Sequence, residues 1–185
     1  MSDPAGPRIV KTFHEALDIL DQSEPAIRDM IESGLMDVAG INRTKVSDAM
    51  LTKDDLTRRI VALRHHHIKH AFRHLRDNLP SDSDLPEETT ATSEPMSEPE
   101  DGPPKIHGHS LATWARNIAT QDAQRIHTAL SVGLTAGEDN TDIAHRVIGS
   151  RRLNGSNGMT EVTRQHILRL GKGLLHKRKA RMAAQ

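Results

Sequence analysis

Residues 133–149 read GLTAGEDNTDIAHRVIG, an apolar helical run that meets a glycine-punctuated turn and continues into a second capped segment. Upstream of it Ala123, Ile126, Leu130, Val132 and Leu134 recur at helical spacing. Gly133 and Gly137 flank a turn, Asn140 or Thr141 caps a second helix, Ile143, Ala144, Val147 and Ile148 form its inner face, and Gly149 stops it. A helix-turn-helix DNA reader and a structural helical corner share this outline. A reading helix offers Arg, Asn or Gln near its amino end to base edges. Here that end is GEDNTD, which repels phosphate, and His145, Arg146, Arg151 and Arg152 come late. The corner is the better reading, and the chain is expected to be mainly α.

The same periodicity extends to both sides. Ile9, Val10, Phe13, Leu17 and Leu20 share one helical face, and Ser23-Glu24-Pro25 announces a second helix carrying Ile27, Met30, Ile31 and Leu35, loosened or ended by Gly34 and Gly40. Thr52 with Asp55 reads as an N-cap for a long helix over 53–79. It carries a stripe of Leu56, Ile60, Leu63, His67, Ala71, Leu75 and Leu79, and the helix spans about 40 Å. That length points to packing against other copies or a neighbouring protein, with Leu56, Ile60, Leu63, His67 and Leu75 as the partner interface. Farther on, Leu111, Trp114, Ala115 and Ile118 begin a helix that Thr120, Asp122 and Ala123 are expected to interrupt. RRLNGSNGMTEVT, with two Asn-Gly pairs, suggests a short β-hairpin near 151–163. The closing segment TRQHILRLGKGLLHKRKARMAAQ is a basic helix broken at Gly171 and Gly173.

Charge divides the chain into unlike parts. Lys+Arg against Asp+Glu is 12 to 12 over residues 1–79, 0 to 8 over 80–104 and 13 to 5 over 105–185. PSDSDLPEETTATSEPMSEPEDGPP, residues 80–104, has almost nothing to bury and reads as a disordered acidic tether of about 28 Å. The expected organisation is two small helical modules joined by a linker. Residues 1–79 form a docking module, 80–109 the linker, 110–163 a domain cored by Trp114, Ile126, Leu130, Leu134, Ile143 and Val147, and 164–185 a basic tail.

Composition narrows the chemistry. Hydrophobic residues make up 35% of the chain, with one Trp, two Phe and no Tyr, so the core is aliphatic and small, and a chain of this kind finishes burying its faces against partners. With no cysteine there is no disulfide framework, thiolate metal site or cysteine nucleophile. The start MSDPAGPRIVKTF lacks a secretory signal and no run approaches a membrane span, so a cytoplasmic protein is expected, or one assembled there. His66, His70 and His74 recur at steps of four, a spacing that can place imidazoles on one metal ion. No cysteine or organised third ligand accompanies them, so His65, His66, His67, His70 and His74 read as a solvated or interface face. Gly171-Lys172-Gly173 lacks the strand and glycines of a phosphate loop, and no nucleophile with an organised base or carboxylate pair is evident. Neither a cofactor nor an enzymatic activity is expected. From Arg164 onward there are seven cations and no acids. Arg164, Arg169, Lys172, Lys177, Arg178, Lys179 and Arg181 are candidates for contact with DNA phosphates or an acidic protein surface.

The run from Ser110 to Arg164 resembles the carboxyl-terminal region of bacteriophage head-morphogenesis or minor head proteins of the Mu F-like type. A Trp-containing segment precedes an arginine-bearing helix, a Gly-Leu-x-x-Gly turn, an Asp-Ile helix, a Gly-Ser-Arg step and an Asn-Gly loop. The positions are Trp114, Arg125, Gly133, Leu134, Gly137, Asp142, Ile143, Arg146, Gly149, Arg151, Asn157 and Gly158. The resemblance covers about a third of the chain. It implies a low-copy virion protein at the portal vertex or inner capsid surface, made in the host cytoplasm, that aids head assembly or genome packaging and delivery. Portal or capsid proteins are the implied partners, with self-association in a symmetric assembly and non-specific DNA contact through the tail. The alternative is a DNA-binding regulator using residues 122–152 as a helix-turn-helix.

Overall fold

The computed structural model describes residues 5–39, 46–80, 105–107, 109–149 and 159–183, of which 34–39, 46–52, 105, 159–160 and 181 by backbone alone. The described chain is almost wholly helical. Helices α1 (Ala5–Asp21), α2 (Glu24–Ala39) and α3 (Val46–Asn78) are followed by strands β1 (Lys105–Ile106) and β2 (His109–Ser110) and by helices α4 (Leu111–Ala136), α5 (Asn140–Ile148) and α6 (Met159–Ala183). The strands pair antiparallel, Lys105 with Ser110 and Ile106 with His109.

Helices α3 and α4 are the spine. The late part of α3 (Ile68, Phe72, Leu75) and the early part of α4 (Leu111, Ile118) share one core with α1, Ile106 and the Ile167–Leu170 turn of α6. The early part of α3 (Leu56, Ile60) and the late part of α4 (Ile126, Leu130) share a second core with α2 and α5. The two spine helices therefore run antiparallel, and each core takes residues from both sides of the acidic stretch. This differs from the expectation of two separate modules, because the apolar faces of 1–79 and 110–163 are each other's cover. The expected linker also gives up its last residues, since Ile106 is buried in the first core. Residues 81–104 lie outside the described residues.

Between the cores lies a polar layer. Arg64, midway along α3 and 1% exposed, donates from Nε to Asp122 Oδ2 at 2.9 Å and from Nη1 to Ser23 Oγ at 2.8 Å and Leu20 O at 3.0 Å. Thr163 of α6 donates its hydroxyl to the other oxygen of Asp122. One buried ion pair thus ties the α1–α2 junction to α3, α4 and α6, and the hydrogen bonds satisfy groups that would be costly to bury unpaired.

Several boundaries differ from expectation for local reasons. Helix α4 runs unbroken through Thr120 and Asp122: Thr120 returns its hydroxyl to Arg116 O at 3.0 Å, and Asp122 is turned inward to Arg64. Helix α3 starts at Val46 rather than after Thr52, and its 33 residues extend about 50 Å. The predicted hairpin near 151–163 is corrected in part, because Met159 onward is helical, whereas 151–158 lie outside the described residues. Helix α6 is continuous through Gly171 and Gly173. A Cβ at Gly171 would lie 2.9 to 3.1 Å from ring carbons of Phe13, and one at Gly173 would lie 2.8 Å from His107 Nε2. These glycines are points of close approach rather than helix breaks. A Gly171→Val substitution is expected to destabilise the chain by roughly 1–3 kcal/mol through overpacking against α1, measured by urea denaturation; an unchanged midpoint would mean that α6 does not press on Phe13.

Candidate functional site

The residues expected at a partner interface lie inside the chain. Ile60 and Leu75 are wholly buried and Leu56 nearly so, Leu63 packs half-buried on the second core, and His67 shares its Nδ1 with Leu63 O at 3.0 Å. The stripe on α3 is the inner face of a spine helix, which corrects the intersubunit reading. Among the described residues only Val10 and Val132 are large hydrophobic side chains left exposed. An outer contact made by these residues is therefore polar or charged.

The corner at 133–149 forms as read, with its details set by the turn. Gly137 adopts φ 71°, the left-handed conformation that favours glycine, and closes α4. A Cβ at Gly133 would sit 2.7 Å from Ile143 Cγ1, so this glycine lets α5 press on α4. The cap is Asp139 rather than Asn140 or Thr141: its carboxylate accepts from Asp142 N at 2.8 Å, while Asn140 donates to Glu32 O of α2 at 3.2 Å. Ile126, Leu130, Ile143 and Val147 are wholly buried in the second core with Leu134 against them. Trp114 belongs to the other core and is half-buried, its Nε1 donating to Ile106 O at 2.9 Å and its ring edge-on to His109 and His166 at 5.8 Å. Arg146 is ion-paired with Glu138. The outward side of α5 thus offers Thr141, Asp142 and an already neutralised arginine, a poor surface for phosphate. Arg151, Asn157 and Gly158 lie outside the described residues.

The histidines do not converge. His74 turns to Glu15 of α1, Nε2 to Oε2 3.0 Å, and this hydrogen bond holds the Glu15 carboxyl below the usual carboxylate range. A carboxyl depressed in the folded state contributes stability above its unfolded pKa and loses it as pH falls. The His66 and His70 rings stand 6.5 Å apart. Among the described residues no group of three or more His, Cys, Asp or Glu is arranged to hold a metal ion.

The cations expected in the tail are divided by the fold. Arg169, Lys172, Lys177 and Lys179 are exposed on α6. Arg178 is 7% exposed, which removes it from an outer contact surface. Arg164 faces Asp21 at 3.5 Å. Burial raises the Asp21 carboxyl even so, ahead of the opposing pull of Arg164 and Arg64. The Arg181 side chain lies outside the described residues.

A second basic surface lies where α3 and α4 meet. A groove of about 350 Å³ is lined by His65, Lys69, Arg73 and Arg76 of α3 and Arg116 of α4, over a floor of Phe72, Leu111 and Ala115. No acidic residue lines it, although Arg76 is paired with the adjacent Asp77 at 2.8 Å. Steps of four and three from Lys69 to Arg73 to Arg76 were visible in the sequence as a basic stripe. Arg116 joins them only because α3 and α4 are antiparallel, which spacing along the chain does not reveal. A groove of this composition can bind anionic groups, and it contains no nucleophile with an organised base.

No helix among the described residues is long and apolar enough to cross a membrane. No family model matches the chain, and no curated protein or solved structure does.

Proposed function

We propose that this protein is a non-enzymatic binding component of a bacteriophage head, associated with the portal vertex or inner capsid surface, and that it acts in head assembly or in packaging and delivery of the genome. The single observation that carries the binding role is the set of exposed cations, Lys69, Arg73 and Arg116 along the groove and Arg169, Lys172, Lys177 and Lys179 on α6, on a body whose large apolar side chains, among the described residues, are covered apart from Val10 and Val132. Unpaired surface cations gain most from a polyanion. The phage assignment rests on the resemblance of residues 110–164. Its Gly133, Gly137 and Ile143 have structural duties in the α4–α5 corner, which supports its reading as a scaffold element. Portal and capsid proteins with acidic faces are the partners this reading names, together with packaged DNA and further copies of the chain.

The test of the contact is fluorescence anisotropy of unrelated DNA duplexes titrated with the full chain at several NaCl concentrations. Expected is binding indifferent to sequence, with log K falling linearly against log salt by about 0.9 per phosphate neutralised. The slope should become shallower when Arg73, Arg116 and Lys172 are changed to Gln. A preference of a thousandfold or more for one sequence would favour the regulator reading through residues 122–152 instead.

A further inference from the structure

We propose that the recess between α4 and α6 lined by Gln121, Arg125, Gln165, His166 and Arg169 is a binding site for a phosphoryl oxyanion. The recess holds about 300 Å³, ample for a phosphate group, and Val162 is its remaining lining side chain. It is distinct from the α3–α4 groove, with which it shares no lining residue.

Three observations converge. Arg125 is half-buried with no carboxylate partner among the described residues; its Nη2 reaches only Gln121 Oε1 at 3.4 Å, and Nη1, shut off from solvent, has no hydrogen-bond partner. A buried guanidinium donor without a partner is rare in folded proteins and calls for a ligand, water or ion. The unpaired Nη1 marks uncompensated charge beside the recess. Arg169, exposed on α6, lines the same recess and adds a second fork of donors suited to a planar or tetrahedral oxyanion. Finally, the His166 ring is held in place edge-on to Trp114 and has its pKa lowered by burial first and then by the charges of Arg125 and Arg169. Both arginines therefore act on one spot, where a bound dianion would relieve their mutual repulsion.

The acids nearby do not fill this role. Asp122 is committed to Arg64 and Thr163 in the polar layer, and Glu161 accepts from Gln165 Nε2 at 2.7 Å on the exposed side of α6. Lys172 and His176 continue from Arg169 along α6 at steps of three and four and are exposed, so a phosphate in the recess has room to be one unit of a longer phosphodiester. Free phosphate and a nucleic-acid backbone share the chemistry, and the experiment separates them.

The test is isothermal titration of the full chain with sodium phosphate, against sodium chloride at matched ionic strength, and with a short single-stranded oligodeoxynucleotide. The variants are Arg125→Met, Arg125→Lys and Arg169→Gln. The last changes an exposed side chain and leaves the fold intact, so it reports even if Arg125→Met fails to fold. Saturable phosphate binding weakened about tenfold or more by Arg169→Gln and Arg125→Met, and partly kept by Arg125→Lys, supports the site with free phosphate as a sufficient ligand. The same losses with the oligonucleotide alone support the site with a backbone phosphate as its ligand. Affinities for both probes that none of the variants changes would overturn the proposal.

Discussion

Replacing Asp122 by Ala is expected to lower the unfolding free energy by roughly 3–5 kcal/mol, because it removes the carboxylate to which the buried Arg64 guanidinium is hydrogen-bonded. Both side chains are 1% exposed, so water cannot substitute for the lost carboxylate without opening the contact between α3 and α4. Thr163 would lose its acceptor at the same time. For a domain whose total stability is of the order of 5–15 kcal/mol, that is a large fraction. The double variant Arg64→Met with Asp122→Leu should recover most of the loss, since apolar replacements of buried ion pairs are often neutral or stabilising. Guanidinium chloride unfolding followed by circular dichroism measures both. A loss below about 1 kcal/mol for Asp122→Ala would place the pair in contact with solvent and remove the polar layer as a link between the helices.

The second large effect is expected at Ile60. Truncation to Ala should cost roughly 2–5 kcal/mol by leaving a cavity among Ile27, Ile31, Ile126, Leu130 and Ile143. Its diagnostic value lies in concentration dependence. A residue buried within one chain loses the same stability at every protein concentration, whereas a residue at a subunit contact shifts an association equilibrium. The expected result is a lowered melting temperature that does not vary with concentration, with the oligomeric state of the wild type retained. A change confined to dissociation, with monomer melting unaffected, would return Ile60 to an intersubunit interface.

These residues also show what was legible in the sequence. Helical periodicity located α1, α2, α3 and the α4–α5 corner, and Ile126, Leu130, Ile143 and Val147 were correctly placed in a core, because an apolar stripe must face something. Periodicity does not say what it faces. The stripe on α3 reads as a contact with other subunits, whereas the covering surfaces are α1, α2 and α4 of the same chain, brought together across an acidic stretch that reads as a separator. Thr120 and Asp122 read as a helix interruption because short polar side chains of this kind favour caps and turns; what holds Asp122 inside a helix is Arg64, 58 positions earlier. Gly171 and Gly173 looked like breaks for a similar reason, since the need for a missing side chain comes from Phe13 and His107 rather than from their own helix. Of the candidate contacts, the exposed cations of α6 were readable from charge alone, whereas the groove containing Arg116 and the recess containing Arg125 required the antiparallel packing of α4 on its neighbours.

We propose that the protein works as a structural constituent of a phage head. Quantitative mass spectrometry of purified phage particles, with empty heads alongside and portal protein as the internal standard, tests this proposal. The expected result is that the chain is present in virions at a low copy number comparable with that of the portal. Its absence from both filled and empty particles, with the protein abundant in infected cells, would contradict that claim.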